Sequence, residues 1–201
     1  MKKLTIFVLV AVLAIAGASA AESNSNATAG TQHLSVGLGY GYDLYSLTGI
    51  HGLSIDIYAQ SRFPNTDIAL YADMDITFPM QMISAGSSIG RKYFDKFFGM
   101  GMAFGAGKEY QLTDGIILFA GGGMYWKWFS AEAGTESAMD NILGVEGNVN
   151  CTFLVTDSFV VDVGARIGTP LLISTVSYPE DIYMGGSGLS ILARVAAGYR
   201  F

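Results

Sequence analysis

A single cysteine, Cys151, excludes an intramolecular disulfide. It stands beside Val149 and Phe153 in an apolar phase and reads as a small hydrophobe, not a reactive thiol. Only two histidines, His33 and His51, are present, which leaves little for a catalytic base or a metal set. Charged residues make up 14% of the chain, against roughly 25% in ordinary soluble domains. Basic residues are the scarcer sign, 11 against 17 acidic ones, giving a net charge of −6. That balance excludes a nucleic-acid patch. After residue 20 no apolar run is long enough for a helical span; the richest stretch, FFGMGMAFGAG, is broken by glycine at every second or third position. Yet 51% of the residues are hydrophobic. A hydrophobic chain without membrane helices closes its backbone hydrogen bonds between strands, as a transmembrane β-barrel.

The N-terminal stretch MKKLTIFVLVAVLAIAGASA has two lysines, an apolar run from Leu4 to Ala16, and small residues at Ala18 and Ala20. This is the layout of a secretory signal peptide over residues 1–20, cleaved after Ala20. Residues 21–30 read as a short polar periplasmic tail, and residues 31–201 as the barrel.

From His33 onward the chain alternates with a period of two, the mark of strands with two different faces. In HLSVGLGYGY one face carries Leu34, Val36, Leu38, Tyr40 and Tyr42, and the other His33, Ser35 and three glycines. Comparable alternation in seven further segments predicts an all-β, eight-stranded antiparallel up-and-down barrel. The dipeptides Thr66-Asp67, Thr113-Asp114 and Thr156-Asp157 each precede a strand and mark short turns on one side. Segments 43–52, 79–96, 129–141 and 169–188 are expected to be the longer external loops.

A soluble barrel also alternates, with its apolar face inside. Here the polar phase is mainly Gly, Ser, Asp and Asn, with too little Lys and Glu to coat a soluble surface. Aromatics gather near strand ends, at Tyr40, Tyr42, Phe78, Trp126, Trp128, Tyr199 and Phe201, as interface girdles do. The polar phase therefore points inward. It carries the anions Asp56, Asp73, Asp75, Glu146 and Asp162 and the cations Lys127, Arg166, Arg194 and Arg200. Unpaired charges inside would be costly, so a polar, ionic network is expected to close the lumen. Asp73 and Asp75 also share one strand face and could hold Ca²⁺ with other oxygens, although partnership with interior cations is the stronger reading.

The signal peptide, the Y-x-L-T-D turn at Tyr110 to Asp114 and the closing GYRF resemble small bacterial outer-membrane barrels, the relatives of the OmpA membrane domain, OmpX and OmpW. The resemblance covers residues 31–201. It implies an outer-membrane location in a Gram-negative-type bacterium, contact with outer-membrane lipid, and a monomer. It also implies delivery by periplasmic chaperones to the barrel-assembly machinery, which in such proteins reads a final strand ending in an aromatic residue; Tyr199 and Phe201 match those positions.

Small barrels include lipid A deacylases and acyltransferases with serine and histidine chemistry. The only comparable set here is His51, Ser54 and Asp56, with no nucleophile motif around Ser54. No enzyme, catalytic residue, metal or cofactor is expected. The leading expectation is a structural or surface-interaction barrel, with an extracellular ligand bound by its loops. The alternative is a narrow pore or an OmpW-like conduit for small hydrophobic molecules, and a lipid-modifying enzyme comes third.

Overall fold

The computed structural model describes residues 31–45, 48–84, 87–178 and 181–201. The expected signal peptide and polar tail, residues 1–30, lie outside them. The elements are β1 (Gln32–Tyr45), β2 (Thr48–Arg62), β3 (Ile68–Ser84), β4 (Ser87–Gly90), a 3-10 turn (Arg91–Tyr93), β5 (Lys96–Thr113), β6 (Ile116–Ala133), β7 (Glu136–Leu154), β8 (Phe159–Tyr178), β9 (Asp181–Gly185) and β10 (Gly188–Arg200). The sheet runs β10-β1-β2-β3-β5-β6-β7-β8, and β8 pairs back onto β10, so eight antiparallel strands close the wall. Two short pieces, β4 and β9, extend the tips of β3 and β8.

Closure leaves no exposed strand edge, the condition for a sheet in lipid. The apolar phase faces outward: Leu38 is 70% exposed and its cross-strand neighbour Val195 is 57% exposed. The polar phase faces inward and is buried.

Both described chain ends meet at one end of the barrel, where His33 pairs with Arg200. The three Thr-Asp turns lie at that same end. In each, the threonine hydroxyl rather than the aspartate binds the turn backbone: it accepts from Ile68 N at 3.2 Å, from Gly115 N at 3.3 Å and from Phe159 N at 2.9 Å. Asp67 instead takes Lys108 across the strand pair at 3.1 Å.

The distal end departs from the expected long loops. Segments 43–52, 79–96, 129–141 and 169–188 are mostly strand: β1 continues to Tyr45, β2 resumes at Thr48, and β6 and β7 are joined at Gly134 and Thr135. The strands outrun the apolar alternation because pairing is made by backbone groups and continues whether or not the outer face stays apolar. Two bulges also break the period of two. One extra residue, Met80, is inserted where Gly52 pairs with Pro79 and His51 with Gln81. Another, Leu171, is inserted where Gly144 pairs with Pro170 and Leu143 with Leu172. Proline is tolerated at such sites because a ladder hydrogen bond is already lost. Past each bulge the inward positions change parity, which brings Ile173 into the distal core and Met82 against it.

Candidate functional site

Of the nine charged residues read as inward, eight are buried in the lumen: Asp56, Asp73, Asp75, Lys127, Glu146, Asp162, Arg166 and Arg194. Arg200 is only half-buried at the terminal end, and no ion pair involves it among the described residues.

Mid-barrel, Arg166 projects from β8 across the lumen to β3. It donates to Asp75, lies 3.4 Å from Asp73, and its Nε is 3.6 Å from Glu146 on β7. Arg194 on β10 reaches the same Asp73, donates to Asn150 Oδ1 at 3.3 Å, and lays its guanidinium 3.8 Å from the centre of the Tyr58 ring. Thr77 donates to Asp75 at 2.9 Å and the Tyr71 hydroxyl to Glu146 at 2.9 Å. Two arginines thus tie four strands together through shared carboxylates, with the bidentate reach that lysine lacks. Glycines make room for them. A Cβ at Gly164 would lie 2.6 Å from Asn150 Oδ1 and 3.1 Å from the Arg194 guanidinium, and one at Gly101 would overlap Asp75.

Above this tier Lys127 donates to both oxygens of Asp43, at 2.7 and 2.9 Å, and Ser190 donates to the same carboxylate at 2.6 Å. Asp43 falls at the start of an expected loop, yet carrying the inward phase of β1 past Gly41 by one step reaches it. Below, Asp162 accepts from Asn150 at 2.9 Å and from Thr152 at 2.5 Å, and His33 lies 3.5 Å away. At the terminal end Glu109 takes Gln60 at 2.5 Å and Arg62 at 3.5 Å; it too follows the inward phase of β5. The remaining space is filled by rings. Tyr58 and Tyr71 stack at 6.4 Å, and Phe119 meets Tyr71 edge-on at 5.5 Å.

The carboxylates outnumber the cations. Asp43, Asp56, Asp73, Asp75, Glu109, Glu146 and Asp162 are buried, against Lys127, Arg166 and Arg194. Asp56 is the odd one. Its hydrogen bond comes from Ser54, at 2.8 Å, and across the strand pair it faces Asp75. Like charges directly opposite destabilise a sheet. Asp56→Asn keeps an acceptor for Ser54 and removes the repulsion, so it unfolds at a higher urea midpoint, a gain in stability on the order of 0.5–1 kcal/mol. A lower midpoint in D56N would show that the Asp56 carboxyl stabilises the lumen despite facing Asp75.

The Ca²⁺ reading of Asp73 and Asp75 gives way to these arginine pairs, and no set of three His, Cys, Asp or Glu side chains that could hold a metal occurs among the described residues. The His51–Ser54–Asp56 reading also fails on geometry. Ser54 and Asp56 are bonded to each other inside the barrel. The His51 ring is bonded instead to the Tyr40 hydroxyl and to Gln81, each at 2.6 Å.

Toward the distal mouth a cavity of about 350 Å³ opens above the Lys127–Asp43 pair. Ile50, Met82, Phe94, Phe97 and Phe129 line it together with small alanines. Ile50, Phe97 and Phe129 of this wall belong to a packed cluster that also includes Tyr45, Ile142 and Ile173.

No protein-family model and no curated protein matches the chain. Solved structures do. Neisserial surface protein A aligns with a TM-score of 0.55 at 16% identity, covering 88% of this chain and 98% of that one. Ail, the attachment invasion locus protein of Yersinia pestis, aligns at 0.53 and 12%, over 86% and 99%. A major outer membrane protein from Thermus thermophilus aligns at 0.55 and 12%, over 85% and 99%. The chain has the fold of the small bacterial outer-membrane barrels.

Proposed function

We propose that the chain is an outer-membrane barrel of a Gram-negative-type bacterium with a closed lumen, acting as a monomer through its distal hairpins rather than by conduction. The observation that carries this reading is the cross-lumen lattice of Arg166 and Arg194 with Asp73, Asp75 and Glu146. An eight-stranded barrel is just wide enough for side chains to fill, and the rings of Tyr58, Tyr71, Phe119 and Tyr125, all buried, add to the filling.

Planar-bilayer recording of the purified protein tests it. The expected trace is flat apart from rare transient openings; a steady, reproducible single-channel step would defeat the closed-lumen reading.

The apolar distal cavity favours a second reading, a conduit for small hydrophobic molecules. Such a conduit would have to pass Phe97, Phe129 and the Lys127–Asp43 pair beneath them.

The outward pair Tyr199 and Phe201, with ring centres 5.1 Å apart, suits the barrel-assembly machinery as a recognition element. Phe201→Ala slows insertion, read as less heat-modifiable folded protein in the membrane fraction. Wild-type yield from this variant would remove that role.

A further inference from the structure

The distal cavity has one chemical asymmetry. Its wall is apolar except at one side, where β7 contributes Glu136, Ser137 and Asp140 and β8 contributes Ser177. Among the described residues, no lysine or arginine lines it. The basic side chains of the neighbouring rim are engaged elsewhere: Arg91 donates to Phe94 O at 2.6 Å, Lys92 lies 5.0 Å from the centre of the Tyr93 ring, and Lys96 holds Glu132 at 2.7 Å.

Asp140 is placed inward by register, two residues before the fully buried Ile142 and opposite Phe129. Its hydrogen bond is from Thr175, at 2.6 Å. Burial pushes its carboxyl above the ordinary carboxylate range, and the Thr175 bond only partly offsets this. Tyr45 belongs to the same apolar cluster, and its buried hydroxyl lies beside the Asp43 carboxylate below. The lumen below holds more carboxylates than cations, which favours a cationic over an anionic occupant.

We propose that this pocket binds an amphipathic ammonium compound, with an apolar chain seated among Ile50, Phe97 and Phe129 and its cationic head beside Asp140 and Glu136. A volume of about 350 Å³ lies at the small end of the range for ligand pockets, roughly 300–1,000 Å³, and suits a single medium-length chain. An anionic head would meet two carboxylates, and a neutral one would leave Asp140 without a counter-charge. The claim goes beyond closure of the lumen and does not depend on it, since the chain enters and leaves by the same mouth.

The test uses the folded protein in nanodiscs with ¹³C-methyl alanine, titrated in parallel with decylammonium, decanoate and decanol. Ala131, Ala133 and Ala138 report on the pocket; Ala106, Ala165 and Ala193 face outward and report on partition into lipid. Decylammonium is expected to shift the pocket methyls saturably while the outward ones drift without saturation. Asp140→Asn weakens this by about tenfold or more, as when one member of a partly desolvated charge pair is lost. Ala138→Trp, or Met82→Trp should the first fail to fold, fills the pocket and abolishes it. Equal saturation by decanoate or decanol, or wild-type affinity in Asp140→Asn, would overturn the cationic assignment. Saturable shifts that survive filling of the pocket, or their absence in the wild type, would overturn the site.

Discussion

Arg166→Ala unfolds at a much lower urea concentration than the parent barrel and leaks ions in planar bilayers. Three carboxylates, on Asp73, Asp75 and Glu146, lean on this one guanidinium. Asp73 keeps Arg194, but Asp75 and Glu146 lose their one ion pair, and leaving a buried partner uncompensated costs about 3–5 kcal/mol. The loss should be coupled. Replacing Asp75 as well, in Arg166→Met with Asp75→Asn, restores much of the stability because the stranded charge goes too. An Arg166→Lys variant is expected to fall between, since a point charge cannot bridge β3 and β7 at once. If Arg166→Ala kept both the parent midpoint and a flat current trace, the lattice would not be what closes the lumen.

Leu38→Arg gives the second large effect, and it separates a membrane barrel from a soluble one. Leu38 sits mid-strand, 70% exposed, opposite Val195. On the surface of a soluble protein such a change is usually within about 0.5 kcal/mol of neutral. Near the midplane of a bilayer, an arginine on the lipid face of a barrel costs about 2–4 kcal/mol. Urea titration of folding into lipid vesicles measures the difference. A midpoint equal to that of the parent would show that this face does not meet hydrocarbon.

The wall of this barrel was legible because two simple rules held over most of its length. Lipid demands an apolar residue at every second position, and pairing demands antiparallel register, so Asp73, Asp75, Arg166 and Arg194 could be placed inside from alternation alone. The partners could not. Which carboxylate Arg166 meets depends on where β8 stands relative to β3 across the lumen, and no local pattern carries that. Asp43 and Glu109 were legible in principle, being in phase with their strands. They were lost where the outer face ceases to alternate and the pattern reads as loop. Ile173 and Met82 were not legible, because Leu171 and Met80 each add one unpaired residue and shift the parity of every position beyond it. On β2, β3, β7 and β8 the distal cavity is lined only by residues beyond those breaks, which is why it left no trace in the periodicity.

Those two single-residue insertions give the barrel something like a reading frame. At the β6–β7 tip, Gly134 turns with a φ of 60° and the strands on either side pair without interruption. A peptide of any length spliced there adds to the hairpin and leaves every inward and outward assignment intact. Along β8 the count matters instead. Leu171 and Leu172 stand side by side on the outer face, 59% and 44% exposed, so the bulge already absorbs one residue. Deleting Leu171 would restore strict alternation and keep Ile173 inward. Adding one residue between Ile173 and Thr175, with no bulge to absorb it, would turn Thr175 and Ser177 outward. Asp140 would lose the hydroxyl that Thr175 gives it, while the half nearer the chain ends kept its frame. The distal half can therefore be rewritten by length as much as by composition: a graft into one of its strands shifts the pairing beyond it in every case, and keeps or inverts the faces according to whether the number of residues added is even or odd.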